Sequence, residues 1–172
     1  MKKPMCAYSA KTEFMPFVEK IEDPAIKNYI RDRVLGQICW YDEKASINQR
    51  SYRISMVISI ALSAVIPVLT LLLELPFGFA IKIAITSLSA GVTVISAVNA
   101  LYKFRELWVQ YRSNCEVLIS ILYRYFSKIG EFEHIKTEQA NKLLAEICED
   151  YFAREYQIWA TRISVTEKAL NP

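Results

Sequence analysis

Two stretches of this chain carry no charge for twenty residues each, and no other feature constrains its fold as much. Ile54–Leu73 reads ISMVISIALSAVIPVLTLLL and is closed by Glu74; Ile83–Tyr102 lies between Lys82 and Lys103. Twenty residues rising about 1.5 Å each reach about 30 Å, the thickness of a bilayer's hydrocarbon core. The competing reading is a pair of core helices in a soluble bundle. Such helices keep a charged or polar face toward water, and neither run has a charged one. The spacing predicts a transmembrane hairpin, with spans at 54–73 and 83–102 and an extracytoplasmic loop at 74–82.

The flanks set the orientation. Lys44, Arg50 and Arg53 precede the first run, and Lys103, Arg105 and Arg112 follow the second, whereas the loop has Lys82 alone. The positive-inside rule then puts both termini in the cytoplasm of a multi-pass membrane protein. The first fifty residues show no short apolar region followed by a small-residue cleavage site, so no cleaved signal peptide is expected. Cys6, Cys39, Cys115 and Cys148 fall in a reducing compartment under this topology. No two of them have metal-ligand spacing, and reduced, packed thiols are expected.

Outside the spans the pattern is helical. Asp23-Pro24 offers an N-cap and a proline at the first helical position. Ile26, Ile30, Val34, Ile38, Tyr41, Ala45 and Tyr52 then recur at steps of three, four or seven, which predicts a cytoplasmic helix over 24–53 running into the first span. After the second span, Phe104, Trp108, Tyr111, Cys115, Leu118, Leu122, Tyr125 and Ile129 alternate steps of four and three. That is an a/d seam, predicting a coiled-coil-like assembly helix over 103–129 with Gly130 as its C-cap. Thr137 is a candidate N-cap for a last helix over 137–168, with Ala140, Leu144, Ile147, Tyr151 and Ile158 on one face. Residues 1–23 are left as an N-terminal segment. The fold class is therefore an all-α membrane protein, a two-span hairpin continuous with a long cytoplasmic helical bundle.

Composition limits the chemistry. The chain has 21 Lys and Arg against 18 Asp and Glu, one His and four Gly. Four glycines are too few for phosphate-cradling loops, and no Walker, zinc or Gly-x-Ser-x-Gly spacing occurs. His134 has no accompanying nucleophile or carboxylate constellation. No intramembrane acid, base or metal cluster supports an integral-membrane enzyme, and no cofactor is expected. Residues 24–53 carry six bases and three acids, an excess suited to anionic lipid and too small for a nucleic-acid footprint.

Polar and small residues form one line on the second span: Lys82, Thr86, Ser89, Thr93, Ser96, Ala100 and Lys103, at steps of four and three. In a ring of subunits this line can face a water-filled path whose two lysine mouths weakly favour anions. The same residue types also serve close helix packing in membranes. The opposite side presents Ile85, Leu88, Val92 and Ile95 to lipid or to the first span. On the first span, Ser55, Ser59, Ser63, Thr70 and Glu74 form a similar line. Pro67 removes the hydrogen bond to the Ser63 carbonyl and predicts a kink or gate there.

The run Gln37-Ile-Cys-Trp40-Tyr41-Asp-Glu-Lys-Ala45, a first span with a late proline, and the run Phe104-Arg105-Glu106-Leu-Trp108-Val-Gln-Tyr111-Arg112 followed by Cys115-Glu116-Val-Leu118 resemble the SLATT group. These are two-transmembrane effector domains associated with SMODS and SLOG proteins. The resemblance covers roughly residues 25–160, and Trp-x-x-Tyr-Arg is its most specific element. It implies a bacterial inner-membrane protein that forms pores as an effector in a conflict or stress system. No fused sensor is expected in 172 residues, so a trigger would come from a cytoplasmic regulatory partner or from binding to the bundle. The expected function is a homo-oligomeric, pore-forming membrane protein, whose partners are lipid, copies of itself and ions. The alternative is a non-conducting scaffold or sensor whose bundle recruits a soluble partner.

Overall fold

The computed structural model describes residues 7–74 and 76–170, and it has no strand among them. The chain divides into two units, one formed by residues 1–41 with 114–172 and one by residues 42–113.

In the first unit, helix α1 (Ala7–Val18) occupies the segment for which the sequence predicts no helix. Its signal is short: Ala10, Phe14 and Val18 at steps of four, interrupted by polar residues and Pro16. All three are fully buried, and the Phe14 ring lies 4.8 Å from that of Tyr123 and 5.8 Å from that of Phe126. Burying a phenylalanine contributes roughly 1.5–3 kcal/mol, so Phe14 anchors this helix on its neighbour together with Ala10 and Val18.

Helix α2 (Pro24–Asn28) starts as expected, with Asp23 Oδ1 accepting the Ala25 N–H at 2.9 Å and Pro24 at the first position. It passes through a π-helical segment (Tyr29–Val34) into α3 (Leu35–Leu71). The sequence explains this segment. Ile26, Ile30, Val34 and Ile38 follow one another at steps of four, and on a uniform α-helix each such step overshoots a turn by about 40°. By Ile38 the row would have wound about 120° off its face. The wider π turns absorb the drift, and all four side chains stay between 0% and 6% exposed.

Helix α5 (Phe104–Ser127) buries Asn114, Cys115, Leu118, Ile119, Ile121 and Leu122 in this unit. That face is wider than the predicted a/d seam. It is a bundle-core face in which Cys115, Leu118 and Leu122 are central, while Tyr125 is half-buried and Ile129 is 52% exposed. Ile129 falls outside the helix, and Gly130 is not the cap. Lys128 takes the left-handed conformation (φ 53°), and the Ile129 N–H reaches back to the Arg124 carbonyl at 3.1 Å, closing the last turn. Gly130 (φ 63°) instead opens a short 3-10 turn that seats Phe132 in the core.

Helix α6 (Thr137–Leu170) makes Thr137 its first helical residue rather than its N-cap. Gln139 reaches back to the Lys136 N–H at 3.4 Å, half of a capping box. Among the described side chains of α6 the buried ones are Leu144, Cys148 and Glu155; Ile158, predicted on this face, is 50% exposed. Cys6 and the side chain of Trp159 lie outside the described residues.

The second unit holds residues 42–71 of α3, helix α4 (Gly78–Tyr102) and residues 104–113 of α5. α4 contains the second apolar run and α3 the first as far as Leu71, with Leu72 and Leu73 in the turn that follows, and both helices are long and apolar enough to cross a membrane. Neither run buries a single residue within the protein. Helix α3 continues through Pro67 to Leu71, with Thr70 Oγ1 donating to the Pro67 carbonyl at 2.6 Å.

Candidate functional site

The polar line was predicted from spacing alone, and the structure gives it surroundings. Lys82, Thr86, Ser89, Thr93, Ser96 and Ala100 are all exposed on α4. The other side of the helix is taken by α3. Ile85, Leu88, Val92 and Ile95 are half-buried there, and a Cβ added at Gly91 would touch Leu62 at 3.9 Å. Of the two neighbours expected for this apolar side, the first span is therefore the one it meets. Each hydroxyl of the line donates to a carbonyl of its own helix four residues back. The distances are 2.9 Å from Thr86 to Lys82, 2.9 Å from Ser89 to Ile85, 3.0 Å from Thr93 to Ser89 and 2.9 Å from Ser96 to Val92.

Lys103 departs from the line. Helix α4 ends at Tyr102, and Lys103 is its left-handed cap (φ 50°), with its N–H on the Asn99 carbonyl at 3.0 Å. The uniform 100° step that places six residues on one face stops before the seventh. The line of the first span divides as well: Ser55 and Ser59 are half-buried, while Ser63, Thr70 and Glu74 are exposed. Among the described residues, Glu74 and Lys82 form no ion pair with each other. Ser55 Oγ lies 2.8 Å from Asn99 Oδ1 and 2.9 Å from the Tyr52 carbonyl, tying α3 to α4 by a polar contact.

A buried ion pair lies among the helices of this same unit. Arg112 Nη1 stands 2.5 Å from Asp42 Oδ1, with the aspartate side chain 7% exposed and the arginine 22%. Spacing alone did not single out either residue, yet the signal was present. Asp42 falls on the row Ile38, Asp42, Ala45, and Arg112 on the row Trp108, Arg112, Cys115. A charge on an apolar row requires a partner. The two residues belong to the two sequence runs that carry the resemblance, and the pair joins those runs.

The helical unit has polar groups of its own. Arg33 Nε and Nη2 donate to the two carboxylate oxygens of Glu149 at 3.1 Å each, Tyr29 Oη donates to the same carboxylate at 3.0 Å, and the Arg33 guanidinium sits 4.8 Å over the Phe152 ring. The hydrogen bond from Arg33 holds the Glu149 carboxyl below its ordinary range. Burial, with Glu149 beside it, pushes the Cys148 thiol up to about 12. In the core, Tyr151 Oη donates to Asn114 Oδ1 at 2.9 Å, and Asn114 Nδ2 donates to the Glu155 carboxylate. Among the described residues no three His, Cys, Asp or Glu side chains gather closely enough to hold a metal ion.

Comparison with known proteins adds one finding. Residues 36–140, more than half the chain, match a family described as a protein of unknown function (DUF4231). No curated protein and no solved structure matches the chain. The matched residues include both apolar runs, the Asp42–Arg112 pair and every residue of the α5 seam from Phe104 to Ile129. The chain is a member of the DUF4231 family.

Proposed function

We propose that this chain is a two-span membrane protein that assembles from copies of itself around a conducting path, with the polar side of α4 toward the axis. The observation that carries the reading is the division of α4 into two sides. Ile85, Leu88, Val92 and Ile95 are half-buried on the side toward α3, and the uncovered surface of α4 carries the row Lys82, Thr86, Ser89, Thr93, Ser96 and Ala100 beside exposed apolar residues such as Val94 and Leu101. In a bilayer, an uncovered row of hydroxyls and a lysine is best matched by water or by another subunit. The basic flanks favour cytoplasmic termini, and the SLATT resemblance favours a bacterial inner membrane and an effector role. Lys82 at one mouth weakly favours anions, and Lys103 contributes charge at the other without lying on the line.

Cysteines introduced along α4 and probed with a charged, water-soluble thiol reagent test the arrangement, together with ion flux from reconstituted liposomes. Thr86, Ser89, Thr93 and Ser96 positions should react and block flux, and Lys82→Glu should shift preference from anions toward cations. An oligomer whose axis is filled with side chains, and which passes no ions in any state, would refute the reading.

One observation favours the alternative of a non-conducting scaffold or sensor. All four hydroxyls of the line are bonded to their own helix, which lowers the cost of facing lipid or a packed neighbour. In that case α4 cysteines stay unreactive, and the helical unit carries the function by recruiting a soluble partner.

A further inference from the structure

We propose that a cleft between the start of α3 and the middle of α6 binds a small organic cation, an alkylammonium or guanidinium compound. This site lies wholly within the helical unit and does not depend on whether the spans conduct.

The cleft encloses about 420 Å³, within the range of roughly 300–1,000 Å³ typical of small-molecule sites. Its wall includes Arg33, Trp40, Glu149, Phe152, Glu155 and Tyr156. Three of these six are aromatic and two are carboxylates. Among the described residues Arg33 is the one base in the lining, and it is engaged: its fork covers both oxygens of Glu149, and its cation rests on Phe152. One end of the cleft therefore already holds a cation between a ring face and a carboxylate. The remaining wall offers the same two chemistries on a larger scale. Trp40 is 43% exposed and Tyr156 is 77% exposed, both unusually open for large aromatic side chains. Glu155, whose carboxylate accepts from Asn114, also lines the cleft. Tryptophan gives the strongest attraction of any side-chain ring for a cation.

The same inventory argues against other ligand classes. Among the described residues of the lining the one base, Arg33, is held by Glu149, so an anion finds no spare donor cation there. A bare metal ion lacks a third ligand, since no cluster of three His, Cys, Asp or Glu occurs among the described residues.

The test is calorimetric titration of the full-length protein in detergent, with choline and agmatine as probes and magnesium and AMP as comparators. Saturable, one-to-one binding of choline or agmatine is expected, with no comparable binding of magnesium or AMP. Tyr156→Ala and Trp40→Leu should each weaken it about tenfold, the loss of one ring face from a partly desolvated cation. Tyr156→Phe should retain it. Glu155 also bonds Asn114 in the core, so the exposed Tyr156 position is the primary variant, and an unchanged melting temperature shows that the variant is folded. No saturable binding of either probe overturns the proposal, as does binding that survives both ring substitutions or that magnesium or AMP reproduces. Because no ion flux is measured, a negative result here leaves the pore reading standing, and a non-conducting protein leaves this site standing.

Discussion

Removing Arg112 should damage this protein more than removing any other single base. Its guanidinium stands 2.5 Å from the Asp42 carboxylate, which is 7% exposed. Arg112→Ala leaves that carboxylate buried without its countercharge, and breaking a buried pair in this way costs about 3–5 kcal/mol. Arg112 itself is 22% exposed, so water can reach the vacated position, and the lower end, about 3 kcal/mol, is the expected value. For a chain of this size each kcal/mol moves the melting temperature by about 2–4 °C, which gives a drop of about 6–12 °C. Asp42→Asn keeps the shape and should cost less, because an amide is cheaper to bury than a charge. The double variant Asp42→Asn/Arg112→Ala should recover a large part of the Arg112→Ala loss, since both desolvated charges are gone. Melting of the four proteins in one detergent, followed by intrinsic fluorescence, gives the cycle. Additive losses, or an Arg112→Ala drop below about 2 °C, would show that the pair contributes no more than a surface bridge and would refute the argument.

Four further outcomes are expected. Gly78→Ala places a methyl 2.6 Å from the Leu73 carbonyl oxygen, so the hairpin turn must shift, and a loss of about 1–3 kcal/mol should appear in the same melts. Gly36→Ala meets nothing within 4 Å in a helix and should stabilise by about 0.5–1 kcal/mol. Glu149 has a lowered pKa in the folded protein, so its contribution is present at neutral pH and is lost as pH falls below about 4.5; Glu149→Gln should flatten that part of the melting profile, by under about 1 kcal/mol for a half-exposed pair. Cys148, buried and with its thiol pushed up to about 12, should resist maleimide at pH 7.5 until the protein is denatured, as mass spectrometry of the labelled protein will report.

The elements of this fold were legible where long-range periodicity specifies them. The two uncharged runs are visible without any partner, because their composition alone marks their extent. Asp23-Pro24 marks a helix start for local reasons, and the side chain does cap Ala25. The helix ends were less legible. Gly130 was the natural stop after α5, yet Lys128 takes the left-handed position two residues earlier, and Lys103 does the same after α4. A lysine adopts that conformation only when the chain around it leaves no alternative, and nothing in the local sequence states this. Helix α1 was missed because three apolar residues carry its whole signal, and their meaning depends on Tyr123 and Phe126, more than a hundred residues away.

The candidate sites show a sharper version of the same difference. A search for apolar rows finds the core but passes over the charges embedded in it, and those charges say most about which helices meet. Asp42, Arg112 and Asn114 each sit at a step of three or four from a buried apolar residue, and Glu155 sits seven residues after the buried Cys148. Each finds a polar partner on another helix: Asp42 with Arg112, and Asn114 with Glu155 and Tyr151. A polar residue on an apolar row is a statement about a partner elsewhere in the sequence, because burial without one costs more than most single contacts return. Read that way, the row Ile38, Asp42, Ala45 and the row Trp108, Arg112, Cys115 predict each other, an acid in one calling for a base in the other. The hydroxyls of α4 make no such demand, since each is satisfied by its own helix. Their spacing defines a face, and the reactivity of cysteines placed along it is what separates a water path from a packing surface.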